Sequence, residues 1–551
     1  MDRKTIVVVL CCLAALFASQ KLINTLYPPK PKVLHPPTAA SSNTAPEQAL
    51  APKPEELSVE STRAATTESA LPRTAEEIVS LSNEFVRVDF TSWGGGVRSV
   101  ELLKHKAFGT GLATLNGAGL VPALSLVGVA GAGSNDAYSI QVQNTNTVVL
   151  RSGNGVIKTF TLSNDYTIAA SIQVPTSASS SSGIGVVVGT AVPTQAREMP
   201  NYLVVDWENG SKFRNRTQPR VADRVKKGTP HEDIVARWLA VKSQYFTMVV
   251  SPTTNITGVT YASVDLATTT NHGVMAIADM PFERGTNGLA TCAFTFYAGP
   301  KDYSRLAALG AHQEELMDFG TPMDFYSGLF GIALLHSLNF FYRIIPSYGM
   351  AIILVTIALK IIFWPIQAKS IQSMKAMQKF QPLMNKLREK YKDDPQKLNT
   401  EMMKLYKEHK INPFSGCLPM LVQLPVLIAF YRVLLNAIAL RGAPFLWIHD
   451  LSQPDTIAMV AGVAINPLPI AMTVGTFLQQ KLTPTGGDPQ QQKMMMFMPI
   501  MMLFFFYKLA AGLTLYYTLQ QALSVLQQWW GMRQTRAASA AVPIVSAGKG
   551  R

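Results

Sequence analysis

The run ILVTIALKIIFWP (353–365) is apolar except at Lys360. An ammonium group inside an apolar, membrane-length segment costs roughly 2.5–3.5 kcal/mol on insertion scales, and such groups face protein or a water-filled cavity. Three readings of Lys360 are open. It snorkels to the inner membrane interface, it pairs with an acid on another apolar segment, or it stands in a polar cavity that attracts acids. The second is weak, because the other apolar segments hold no Asp or Glu. They do hold uncharged polarity. Gln423 and Tyr431 lie in 415–437, and Asn466, Thr473 and Thr476 in 457–479; Thr514, Tyr516, Tyr517, Thr518, Gln520, Gln521 and Ser524 lie in 511–530. Each alone could be an ordinary interhelical hydrogen bond. Together with Lys360 they predict a wet, positively charged groove, with Gln423, Tyr431, Thr473, Thr476, Tyr516, Tyr517 and Gln521 as its lining.

The elements that must hold these residues follow from composition and charge. The net charge is +14, unevenly spread: residues 28–330 carry 24 Lys+Arg against 26 Asp+Glu, and the flanks carry 25 against 9. A nucleic-acid binder would place such an excess on a soluble module. Here it adjoins apolar runs, as the positive-inside rule expects. Spanning helices are expected at 348–367, 415–437, 457–479, 494–509 and 511–530, since a span needs about 20 mostly apolar residues. With the basic-then-apolar segment 1–27 this gives six. That first segment is either a cleaved signal peptide or an uncleaved anchor; Leu16, three residues before a cut after Ala18, favours the anchor. The loop 366–414 holds eleven Lys/Arg against five acids, and the tail after Trp530 holds four basic residues and no acid, so both are expected in the cytoplasm.

Residues 28–75, rich in Pro, Ala, Ser, Thr and Glu, read as a disordered linker. Residues 76–324 alternate apolar and polar positions in many short runs, such as EFVRVDFTSWGGGVRSVEL, GVIKTFTL and YTIAASIQV. They predict an antiparallel β-sandwich on the outer side of the membrane. Residues 325–346 form an amphipathic helix with His336, Asn339 and Arg343 on one face, lying along the membrane surface or packed on the sandwich. After the span 347–367, residues 368–412 predict a cytoplasmic helical hairpin around Asp393-Asp394-Pro395, with Met374, Met377, Leu383, Met384 and Met402 on apolar stripes. Such stripes usually close a hairpin on itself, and Met-rich faces also suit promiscuous apolar binding. Spans then fill 413–531, and 532–551 is a basic tail. The basic stretch 211–228 is a solvated loop or a partner site.

No P-loop, HExxH, GxSxG or Cys/His metal spacing is present, and four cysteines make no disulfide framework. No cofactor, metal, nucleotide or enzymatic activity is expected.

INPFSGCLPMLVQLPVLIAFYRVL (411–434), FLWIHDLS (445–452), DPQQQKMMMFMPIMMLFFF (488–506), GLTLYYTLQQALSVLQQ (512–528) and LKIIFWPIQAKS (359–370) resemble the membrane core of the YidC family of membrane protein insertases. VDFTSWGGGVRSVEL, WLAVKSQYF and YAGPKDYSRLA resemble its Gram-negative form. The resemblance puts the family's groove cation at Lys360, where Arg is frequent. Ala511 replaces the usual Pro, and Gln521 a frequent Asn. It implies a multi-domain membrane protein of six transmembrane α-helices, five of them the insertase core, with a periplasmic β-supersandwich and a cytoplasmic helical hairpin. It further implies an inner-membrane location, insertion of nascent membrane proteins through a hydrophilic groove, and the Sec translocon and the ribosome as partners. Two other readings stay open: a small-anion transporter or channel using Lys360, and a membrane-anchored carbohydrate enzyme on the sandwich.

Overall fold

The computed structural model describes residues 75–107, 111–118, 121–176, 183–193, 202–208, 231–265, 272–284, 288–318, 325–392, 394–409, 418–482 and 489–540. The N-terminal segment 1–27, the linker up to residue 74, the basic stretch 211–228 and the end of the tail lie outside the described residues.

The first half is antiparallel β-structure in three sheets. The largest runs, in spatial order, through Val204–Glu208, Trp238–Lys242, Phe246–Pro252, Leu289–Pro300, Thr167–Pro175, Ile157–Leu162, Thr147–Ser152 and Tyr138–Asn144. A five-stranded sheet centred on Ile256–Asp265, His272–Pro281 and Gly183–Ala191 packs across it, and a four-stranded sheet opens the domain. The alternation read from the sequence sets the faces: in Val86–Thr91, Val86, Val88 and Phe90 are buried while Arg87 is exposed. Gly183–Ala191 and Trp238–Lys242 are buried on both faces, which makes this a layered sandwich with a thick core.

The Gly94-Gly95-Gly96 break has a structural reason. Gly94 and Gly95 adopt φ of 69° and 54°, and a side chain on Gly95 would collide with the Tyr138 ring. The turn presents the Gly94 and Gly95 carbonyls to Lys158, whose Nζ donates to them at 2.8 and 2.9 Å and to Leu124 O at 3.2 Å. The Tyr138 ring lies 4.6 Å away. The domain holds a second buried charge cluster. Lys242 pairs with Asp206 and, at 2.8 Å, with Asp318, and Lys301 lies 4.0 Å from Asp318. Both lysines belong to the stretches WLAVKSQYF and YAGPKDYSRLA.

Nine helices appear among the described residues. The short helix α1 (Tyr303–Ala308) is capped by Asp302, and α2 (Phe325–Ile344) follows. Then come α3 (Tyr348–Lys379), α4 (Gln381–Lys390), α5 (Pro395–Glu408), α6 (Leu418–Asn436), α7 (Pro467–Leu482), α8 (Pro489–Phe506) and α9 (Ala511–Ala540). α9 packs against α3, α6 and α7, α7 against α8, and α2 against α3 and α6. The β-domain is tied to this bundle at Arg441, which donates to Lys106 O at 2.6 Å and lies over the Phe246 ring, and at Gln244, which donates to Leu435 O at 2.8 Å.

Several features differ from the sequence expectation, among them the strands Ala458–Val460 and Val463–Ile465 at the start of the expected span 457–479. The span expected to end at 367 continues to Lys379, through Pro365, so the hairpin proper begins at Gln381. Pro382 at the start of α4 forces that break, because it cannot donate to the preceding turn. Leu383, placed on the inner stripe, is exposed, while Met384 and Leu405 are buried. Finally, Tyr348–Gln372 alone among the described residues is long and apolar enough to cross a membrane by length and composition. α7 has 16 residues, about 24 Å at 1.5 Å each, and the strongly apolar parts of α6 and α8 are Val426–Asn436 and Met496–Phe506.

Candidate functional site

α3 is apolar on nearly every face, and its neighbours sort those faces. Ile361, Ile362 and Trp364 are exposed on the bundle surface, while Thr356 and Lys360 turn inward. Lys360 is only 5% exposed. Its Nζ donates to Ser524 Oγ of α9 at 2.8 Å. The side chain therefore runs to a neighbouring helix rather than toward the bundle surface. Among the described residues Lys360 makes no ion pair.

α9 supplies the rest of the arrangement through its periodicity. Tyr516, Gln520 and Ser524 stand at i, i+4 and i+8 and share one face. Ser524 Oγ donates to Gln520 O at 2.8 Å while accepting from Lys360, so the contact is a polarised chain and not a single bond. Gln520 Nε2 donates to Gln423 Oε1 of α6 at 3.2 Å, and Gln423 Nε2 donates to the Tyr516 hydroxyl at 2.6 Å. Tyr516 is stacked on Phe430 with ring centroids 3.8 Å apart, which fixes its hydroxyl. A partly buried polar line thus joins α3, α6 and α9.

The expected lining divides into two groups. Lys360, Gln423 and Tyr516 come together. Gln521 and Tyr517 lie on another face of α9: Gln521 sits across from Gly475 of α7, and the Tyr517 ring is 5.1 Å from Phe506 of α8. Thr473 and Thr476 are buried on α7, but their hydroxyls donate to their own helix, at Pro469 O (2.7 Å) and Met472 O (2.9 Å). Tyr431 is half-buried against the apolar core. Gln520 and Ser524 were legible only as part of the general polarity of the last segment. The signal that pairs Ser524 with Lys360 is depth: they lie 13 and 12 residues from the starts of α9 and α3.

In the hairpin, Met384 is buried and Met402 is half-buried. The side chains of Met374 and Met377 lie outside what is described. Asp394 caps α5 by accepting from Lys397 N at 3.0 Å, and the Phe380 and His409 rings, 4.4 Å apart, close the open end.

Comparisons with known proteins bear on both halves. The family described as 60Kd inner membrane protein matches residues 340–538, and the one described as YidC periplasmic domain matches residues 78–331. The membrane protein insertase YidC of Nitratidesulfovibrio vulgaris (strain DSM 19637 / Miyazaki F) is 34% identical over 395 residues, covering 69% of this chain and 68% of that one. The insertase of strain DP4 is 36% identical over 364 residues, 64% of this chain and 63% of its own length. A crystal structure of active YidC insertase with its first transmembrane domain resolved overlays 83% of this chain and 93% of its own at 16% identity. Its TM-score is 0.37. The two family matches divide the β-domain and the helical bundle between them, and a relative is matched over two thirds of its length: this chain belongs to the YidC family of membrane protein insertases, inner-membrane proteins with a periplasmic β-rich domain.

Proposed function

We propose that this protein inserts apolar segments of nascent proteins into the inner membrane, alone or beside the Sec translocon, through a polar groove whose cation is Lys360. The observation that carries the mechanism is a buried ammonium group with a hydroxyl partner and, among the described residues, no acid. α3, α6, α7, α8 and α9 are the five spans of the core, with 1–27 as the sixth. The charge bias of 366–414 and of the tail keeps both termini and the α4–α5 hairpin in the cytoplasm, near the ribosome. Exposed Leu383 and Met403 are the hairpin's client-facing residues, since Met384 is occupied within it.

Lys360 then lies about 18 Å along α3 from its outer end. An acidic tail of a client resting about 4 Å from it gains about 4 kcal/mol at an effective dielectric of 20, which offsets part of the tail's desolvation. The membrane potential favours outward movement of an acid by about 2.3 kcal/mol per charge per 100 mV. The client's apolar segment leaves for lipid at about 25 cal/mol per Å² buried, so the groove lowers a barrier and needs no nucleotide.

The test is reconstitution into nucleotide-free liposomes with a single-span client bearing an acidic tail. Lys360→Arg is expected to insert it, and Lys360→Glu to lose more than about a hundredfold in rate, since each 1.4 kcal/mol is tenfold. Normal insertion by Lys360→Ala would refute the electrostatic role, and uptake of a labelled small anion would favour the transporter reading.

A further inference from the structure

The segment between α6 and α7 carries apolar side chains that the insertion mechanism does not use. Residues Ala458–Val460 and Val463–Ile465 form an antiparallel hairpin, turning at Ala461 and Gly462 with φ of 48° and 80°. Ile457, Met459, Val460 and Val463 are all exposed, Met459 to 65%. Earlier in the same segment the Phe445–Ile448 turn, from which Trp447 Nε1 donates to Asp455 at 3.5 Å, exposes Leu446 to 76%, and Trp447 is also exposed.

The hairpin is held in place by its base. Asn466 Nδ2 donates to Tyr507 O at 2.7 Å, and the Tyr507 hydroxyl donates to Ala464 O. Asp455 accepts from Leu468 N at 2.7 Å in the first turn of α7, and Ala511 N donates to Gln453 O at 2.7 Å. The loop is thus stitched to the ends of α7, α8 and α9.

From this the geometry points to a lipid-contacting element: the hairpin and the Leu446–Trp447 tip rest in the outer leaflet at the headgroup–acyl boundary. A half-buried strand alternates apolar and polar residues. Here neither face is polar, and no charged residue occurs from Thr456 to Gln480. An isolated two-stranded hairpin is marginal in water, and this one would expose nothing but apolar side chains there. Its outer edges also carry backbone groups that hydrocarbon would leave unsatisfied, so it does not lie in the bilayer centre. The interface meets both demands, and Trp447 has the amphipathic ring favoured there. Lipid is the occupant because α7, which follows the hairpin directly and is the next expected span, exposes apolar Ile470 and Val474 as well. The choice of leaflet rests on the topology proposed above; the choice of lipid over water does not.

The test places an environment-sensitive nitrobenzoxadiazole label at Val460→Cys, with Val463→Cys as a second reporter and Val235→Cys, on an exposed β-domain strand, as the aqueous reference. The four native cysteines, Cys11, Cys12, Cys292 and Cys417, are replaced by alanine, or by valine at buried Cys292. The full chain is reconstituted in phosphatidylethanolamine–phosphatidylglycerol vesicles. Labels at 460 and 463 are expected to emit further to the blue than at 235. They should be quenched more by lipids spin-labelled near the headgroup than at the chain end, and several-fold less by iodide. Iodide quenching equal to that at 235, or strongest quenching by chain-end labels, overturns the proposal. So does protection from both quenchers, which would mark a protein partner. An impermeant reductant that bleaches the label assigns its side: a lipid-quenched label on the cytoplasmic side refutes the topology and the outer leaflet, but not the lipid contact.

Discussion

Two buried lysines, one in each half of the molecule, are held in opposite ways. Lys158 in the β-domain is fully buried, and three backbone carbonyls and the Tyr138 ring surround its ammonium group. Burial pulls that amine well below the ordinary lysine value, and the carbonyls and the ring are what favour its charged form. Lys360 in the bundle is nearly as buried but has, among the described residues, one hydroxyl for a partner. An ammonium group has three donors. At Lys158 all three are used to fix a turn. At Lys360 one is used among the described residues, and the function proposed above assigns the others to a client's acid.

The largest expected effect breaks the comparison at Lys158. Lys158→Met strands three carbonyls and should destabilise the full chain by about 3–5 kcal/mol, whereas Lys360→Met should leave stability within about 1 kcal/mol. Thermal unfolding of the detergent-solubilised protein checks both, and equal losses would erase the distinction. Next comes acid sensitivity, expected in the β-domain half. Burial first, then the charges of Arg441 and Arg305, pull the His105 imidazole down to about 4. Between pH 6.5 and 4 the unfolded chain binds the extra proton, so stability present above pH 6.5 is lost as pH falls, by about 2 kcal/mol after allowing for partial exposure. His105→Gln should flatten that slope in denaturant titrations across the window.

Smaller effects sharpen the Lys360 side. Ser524→Ala removes one hydrogen bond to a charged donor, worth about 1.5–3 kcal/mol, and should change insertion rates by roughly ten- to a hundredfold. A complete loss of insertion would mean that the serine, and not the cation, is essential. The smallest effect belongs to Thr473→Val and Thr476→Val. Their hydroxyls are satisfied within α7, so insertion and stability should both move by less than about 0.5 kcal/mol. A larger loss would return them to the groove lining.

Much of this is legible in the sequence. Period-two alternation identified the strands, and charge-free runs identified most of the bundle. Some of what was missed was also written in the pattern. In IKTFTL (157–162), Lys158 has the same parity as buried Phe160 and Leu162, so an inward lysine was readable there. Likewise the i, i+4, i+8 set of Tyr516, Gln520 and Ser524 separates the α9 face toward Lys360 from the face holding Tyr517 and Gln521. Other features were not legible. That Thr473 and Thr476 bond to their own helix is a choice of rotamer, and polarity alone cannot reveal it. The continuation of α3 past 367 was hidden because the apolar run ends there, at Gln367 and Lys369, while the helix goes on. The 458–465 hairpin was absorbed into an expected span, since an apolar run reads alike as strand or helix.

The central claim is that Lys360 stands where a client's acid can reach it. The direct measurement replaces Lys360 with cysteine and follows its reaction with an impermeant thiol reagent added from each side of the membrane in turn. Ready labelling from the cytoplasmic side, slowed by an engaged client, is the result expected. A cysteine at 360 that reacts from neither side would contradict the account.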